Sequence, residues 1–185
     1  MTYTDVILYA LAALLVVAAW QMGRMLLELR GTRLTTCPET GRTVAVDLDL
    51  KYSAVHSVLG RNQFRLSDCT RWPERAGCGQ MCLGDVEADP HDCLARSIVA
   101  RWYAGKTCVY CRHEFGEIHW HDHAPAVLGA DRITRQWKDV PPEELPEVMA
   151  THYPVCWNCH IAETFRREHA DLVIERPAPP PPPLL

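Results

Sequence analysis

Cys108-Val-Tyr-Cys111 and, far downstream, Cys156-Trp-Asn-Cys159-His160 are the stretches on which the reading of this chain turns. Each contains a C-x-x-C turn, which aims two sulfurs at one point while intervening backbone N–H groups donate hydrogen bonds to them. Two such units, separated by a module-sized insert, offer four thiolates. That is the complement zinc takes tetrahedrally in a closed, redox-silent site. The expected metal ligands are therefore Cys108, Cys111, Cys156 and Cys159, with zinc as the cofactor. The first pair precedes an expected strand and the second opens an expected helix. The positive end of that helix should lower the thiol pKa values of Cys156 and Cys159.

Knuckle, hairpin and a helix carrying the last two ligands form a recognisable outline. From Cys108 to about Leu172 the chain resembles four-cysteine zinc-ribbon and treble-clef modules in general. The resemblance implies a structural ion that staples a small fold.

The second unit also has the C-x-x-C-H pattern of c-type haem attachment. In that reading Cys156 and Cys159 form thioethers and His160 is the proximal ligand, with Met149, His152 or one of His119, His121 and His123 distal. An electron carrier built on haem or on an iron–sulfur cluster is therefore the rival to zinc. The haem reading leaves Cys108 and Cys111 without a partner. It also requires a compartment outside the bacterial membrane, where such haem is attached.

The N-terminal region bears on that requirement. Val6 to Gly23 reads VILYALAALLVVAAWQMG, with Gln21 its only strongly polar residue. At about 1.5 Å rise per residue this comes to roughly 27 Å, close to a hydrocarbon core of about 30 Å. Tyr3 and Trp20 lie near its ends, where interfacial aromatics belong. A cleaved signal peptide is disfavoured because Met-Thr-Tyr-Thr-Asp carries no basic residue. Arg24, Arg30 and Arg33 follow the span and no basic residue precedes it, so the positive-inside rule leaves the N-terminus outside. The expectation is a single-pass protein of a bacterial inner membrane, with the lipid bilayer as first partner and the Cys-rich part in the cytoplasm.

Nine Cys, nine His and six Trp in 185 residues are high counts. An odd number of Cys argues against a closed disulfide framework and suits metal better. A net charge of -4 provides no basic footprint for nucleic acid, and none is expected as a partner.

Hydropathy and turn residues divide the rest. Cys37 to Gly41 reads as a turn and Arg42 to Asp49 as a half-buried strand, with Val44, Val46 and Leu48 on one face. Phe64 to Leu66 reads as a second strand, reached through Gly60-Arg61-Asn62. Asp68 to Cys82 is too rich in Pro and Gly for a long element before about Gly79. Asp89-Pro90 predicts a helix start, carrying Cys93, Leu94, Ile98 and Trp102 toward one face, with Gly105 closing it. A knuckle and strand are expected over 108–123, a strand over 133–137, a short helix near Pro146 and a final helix from Cys156 to about Glu175. Ala178 to Leu185 is expected to be a disordered polyproline tail. The implied organisation is an anchor over 1–30, a Cys-rich α+β part over 31–107, a zinc-ribbon-like part over 108–176 and a tail over 177–185.

Two further groups could carry chemistry. Cys37, Cys69, Cys78 and Cys82 could hold a second metal or rest as buried thiols. His119, His121 and His123 would share one side of an extended strand, either as an open catalytic-type site with Asp122 or Glu117 behind it, or as a solvated edge. Cys93 and most of the Trp residues read as core. No Gly-rich phosphate loop, nucleophile elbow or paired catalytic carboxylate is present. The fold class is therefore α+β: a small, Cys-rich, metal-stapled domain behind one N-terminal transmembrane helix. The expected role is non-catalytic, accessory to a membrane protein complex. The rivals are an electron carrier and a metalloenzyme using the His119/His121/His123 face.

Overall fold

The computed structural model describes residues 3–58, 64–75 and 77–173. The expected polyproline tail and the Gly60-Arg61-Asn62 connection lie outside the described residues. The chain divides into two compact units. One runs to Trp102 and includes Pro141–Glu147; the other comprises Tyr103–Val140 and the residues from Val148 onward.

The first unit opens with α1 (Tyr3–Leu29). Tyr3–Arg24 is long and apolar enough to cross a membrane, with a mean hydropathy of 2.1 and none of its apolar window buried against protein. Gly31 follows with φ +119°, where a Cβ would meet Leu94 Cδ2 at 3.4 Å. The positive φ favours glycine there, and the contact with Leu94 is an ordinary one.

Three antiparallel strands come next: β1 (Arg33–Thr36), β2 (Thr43–Leu48) and β3 (Leu66–Cys69), in the order β1-β2-β3. Thr36 pairs with Thr43 and Val46 with Cys69, with a register shift between Asp47 and Leu48. The expected second strand thus lies at Leu66–Cys69 rather than at Phe64–Leu66. Val44, Val46, Leu48 and Leu66 build the core with Val86, Cys69 and Cys82. Ala45, expected on the outer face, is buried as well.

Three helices punctuate this unit: α2 (Leu50–Val58), the single turn α3 (Trp72–Arg75) and α4 (Leu83–Ala88). The helix expected from Asp89-Pro90 begins later, as α5 (Ala95–Tyr103). Its delay has a visible cause. The Leu34 N–H donates to the Cys93 carbonyl at 2.8 Å, and the Ala95 N–H to the Thr32 carbonyl at 3.0 Å. Pairing with Thr32 and β1 holds Cys93 and Leu94 out of the helix, and Asp89 instead accepts from the Asp92 N–H at 3.0 Å in a capped turn. Leu94, Val99 and Tyr103 form the buried side of this segment. Gly105, at φ +71°, follows the helix as expected.

Arg33 departs from its expected part as a juxtamembrane charge. It is fully buried, its Nε donating to the Pro90 carbonyl at 3.1 Å and its Nη1 to the Gly31 carbonyl at 2.9 Å. Arg24 and Arg30 remain exposed after the span.

The second unit carries another antiparallel sheet, of β4 (Ala126–Leu128), β5 (Thr134–Gln136) and β6 (Tyr153–Val155), in the order β5-β4-β6. The short helix α6 (Leu145–Thr151) runs into β6, which ends at the second C-x-x-C unit, and α7 (Trp157–Glu168) follows. A single 3₁₀ turn (Ala170–Leu172) succeeds α7, so the last helix is shorter than the expected run to Glu175. Tyr103, at the end of α5, donates its hydroxyl hydrogen to the Ala126 carbonyl of β4 at 2.6 Å and accepts from Trp137 Nε1 at 3.0 Å.

Candidate metal centre

Cys108 starts a tight knuckle. Its N–H donates to the His113 carbonyl at 2.9 Å, and the Arg112 N–H returns to the Cys108 carbonyl at 2.9 Å. Arg112 closes the turn at φ +62°, a left-handed conformation that a non-glycine residue adopts at a cost. Thr107 pairs with Glu114 below it. The Val109 N–H donates to the Pro154 carbonyl at 2.9 Å, which fastens the knuckle to β6. Ala126 pairs with Val155 one strand further in. Cys108, Ala126 and Val155 are all fully buried and form one small core, against which Phe115, Leu128, Cys156 and Cys159 pack.

β6 therefore delivers Cys156 to the knuckle. Cys156 caps α7, and Cys159 lies in the first turn. The sulfurs of Cys108, Cys111, Cys156 and Cys159 all lie within 4.8 Å of one another, the only group of three or more Cys, His or acidic side chains so gathered among the described residues. Cys111 Sγ is 3.7 Å from Cys156 Sγ. With metal–sulfur bonds of about 2.3 Å, a tetrahedron has edges of about 3.8 Å. The four side chains fit a single ion.

The electrostatics differ from expectation in one respect. Burial raises the Cys108 thiol, but N–H groups of Cys111, Cys156 and Tyr110 outweigh it and bring the group down to about 7. The Cys156 N–H lies 3.3 Å from Cys108 Sγ. Cys156 and Cys159, which the helix terminus was expected to lower, are both raised. Burial comes first at both; the Cys108 and Cys111 thiols also raise each, while the Cys159 N–H and thiol pull Cys156 the other way. A cation at the centre of the four sulfurs would favour the charged form of each.

His160 is buried beside the site rather than turned into it. The Gln136 amide nitrogen, 3.1 Å away, can only donate, so His160 Nε2 accepts. Nδ1 then carries the proton and donates to Thr134 Oγ1 at 2.8 Å. Both ring nitrogens are used in fastening α7 to β5. Burial, followed by Arg167, lowers its pKa and favours that neutral form.

The expected strand through His119, His121 and His123 is a turn, closed by the His123 N–H on the His119 carbonyl at 3.1 Å. All three imidazoles are exposed. An alternation of polar residues with no partner strand had no face to bury, and the chain pairs only after Pro125. His119 and His123, together with Cys111, Phe115 and Trp157, line an open cavity of about 630 Å³; His121 does not reach it.

In the first unit Cys69 and Cys82 are buried in one core cluster, and Cys37 and Cys93 pack against it. No signal for β6 or for the knuckle's hold on Pro154 stands in the sequence. Tyr153-Pro154-Val155 is too short to show a period, and its pairing with β4 depends on long-range register. No family model matches the sequence, and neither the curated proteins nor the solved structures include a match to it.

Proposed function

We propose that this protein is a membrane-anchored, zinc-binding structural protein, non-catalytic and accessory to a membrane complex. The observation that carries the reading is the gathering of four cysteine sulfurs within 4.8 Å, one of them fully buried. A closed set of four thiolates leaves no open position for substrate, which is the pattern of structural rather than catalytic zinc. The spacing supports a mononuclear ion, since a cluster of several irons and sulfides would hold its cysteines further apart. The haem alternative loses support from the same geometry. Sulfurs turned toward each other are not turned toward two separate vinyl groups, and His160 has no free nitrogen for iron. The apolar α1, with Arg24 exposed in its C-terminal part and Arg30 exposed just after it, supports an anchored chain with its thiol sites in the cytoplasm.

Elemental analysis and an absorption spectrum of the full chain, purified in detergent, test this. The expected result is bound zinc and no visible bands, with thiolate-to-metal charge transfer appearing on cobalt substitution. A Soret band, or the broad visible bands of iron bound to sulfur, refutes it. Labelling of Cys156 from outside intact cells by an impermeant thiol reagent after metal stripping would overturn the topology alone.

A further inference from the structure

The turn between β1 and β2 repeats the backbone of the metal knuckle. The Cys37 N–H donates to the Arg42 carbonyl at 2.9 Å and the Gly41 N–H returns to the Cys37 carbonyl at 2.8 Å. These are the bonds that Cys108 makes with His113 and Arg112, at the same spacing. The fifth residue of each turn is left-handed: Gly41 at φ +66° and Arg112 at φ +62°. Cys37 therefore stands where Cys108 stands, and Thr40 occupies the place of Cys111. N–H groups of Glu39 and Thr40 and the Thr40 hydroxyl all point at the Cys37 sulfur, and Arg71 Nη1 donates to it at 3.1 Å. A turn of this form presents a thiolate, and it does so here with one cysteine rather than two.

Cys69 and Cys82 meet Cys37 from other elements, and Cys78 precedes Cys82 by four residues. Cys69 ends β3, and Cys78 and Cys82 flank the Gly79-Gln80-Met81 turn ahead of α4. That turn is docked onto the sheet by the Leu66 N–H, which donates to Gln80 Oε1 at 3.2 Å. Cys69 and Cys82 lie in the buried cluster, with Cys37 packed against it. Trp72 packs against the same cluster with its buried Nε1–H lacking an acceptor. Thiolates are acceptors for such a donor.

We propose that Cys37, Cys69, Cys78 and Cys82 form a second four-thiolate site, for zinc or a comparable soft divalent cation. It ties the irregular 69–82 segment to the β1–β2 turn, with Arg71 offsetting part of the excess negative charge. No three of these sulfurs are gathered within 4.8 Å of one another among the described residues, so binding an ion requires them to draw together. The site is independent of the one built on Cys108, and each can fail alone.

The test is metal stoichiometry of the full chain in detergent, using zinc analysis and cobalt titration of wild type, Cys78→Ser and Cys111→Ser. Cys78 is half-buried on a turn, and Cys111 is exposed, so both substitutions spare the core. Two ions in wild type, one lost in each variant, is the expected result. One ion in wild type, kept in Cys78→Ser and lost in Cys111→Ser, overturns the second site and leaves the first standing. One ion lost only in Cys78→Ser supports the second site and removes the first. Cobalt charge-transfer intensity, which counts thiolates, should halve in Cys78→Ser; an unchanged intensity also overturns the proposal.

Discussion

Replacing Cys108 by Ala should cost more metal affinity than replacing Cys111 by Ala, although each removes one thiolate. Cys108 is fully buried, whereas Cys111 is exposed. The Cys156 N–H points at Cys108 Sγ from 3.3 Å, and N–H groups of Cys111 and Tyr110 also act on that sulfur. Loss of the sulfur leaves these donors facing an apolar methyl. One orphaned amide costs ~1–3 kcal/mol when sealed from water. Counting the Cys156 amide alone, Cys108→Ala should bind zinc roughly 5- to 150-fold more weakly than Cys111→Ala. At Cys111, which is exposed, removal of the sulfur leaves no backbone donor sealed from water. Competition against a chromophoric chelator, on the full chain in detergent, measures both affinities. Near-UV circular dichroism reports whether Trp137 and Trp157 keep their surroundings. Equal affinities, or a greater loss in Cys111→Ala, would refute the idea that the knuckle is organised through Cys108.

Three further outcomes follow from the same geometry. Tyr103→Phe removes the hydroxyl's hydrogen bonds to the Ala126 carbonyl and from Trp137 Nε1 in the second unit, so it should destabilise by about 1–3 kcal/mol in chemical denaturation; a change under ~0.5 kcal/mol would show that neither group needs the hydroxyl. Arg112→Gly removes left-handed strain in the knuckle and should leave stability unchanged or raise it by up to about 1 kcal/mol, while Arg112→Val should lower it; the reverse order would contradict the turn geometry. Asp131 has its carboxyl pKa lowered, first by the Ile133 N–H and then by Arg135. A depressed carboxylate adds stability above its unfolded value near 4 and loses it as pH falls through the folded one. Asp131→Asn should therefore be less stable than wild type at neutral pH, with the gap closing in acid; a gap constant between pH 7 and 3 would refute the assignment.

Local chemistry made several features readable without coordinates. The apolar run that became α1 needs only composition. The alternation of Val44, Val46 and Leu48 reports a buried strand face. The two C-x-x-C units declare four ligands because metal geometry demands close pairs of thiolates. Gly105 ends α5 because little else adopts its φ cheaply. Where local rules compete with distant partners, the outcome was not local. Asp89-Pro90 has the form of a helix start, yet pairing of Cys93 and Leu94 with β1 delays the helix to Ala95. His119 to His123 alternates like a strand, but no neighbouring edge accepts it. His160 completes a haem-like motif by spelling alone, and Thr134 and Gln136, distant in sequence, engage both of its nitrogens.

Sequence by itself thus determined an apolar helix, an α+β composition and the four residues Cys108, Cys111, Cys156 and Cys159 as one candidate ligand set. Tertiary structure alone decided that their sulfurs meet, through β6 docking on the knuckle at Val109 and Pro154. It also showed that Cys37 sits in a turn of the same form. The physical reason is one of range. Helix formation and turn chemistry are settled within a few residues, whereas a ligand shell closes only when strands far apart in the chain fall into register.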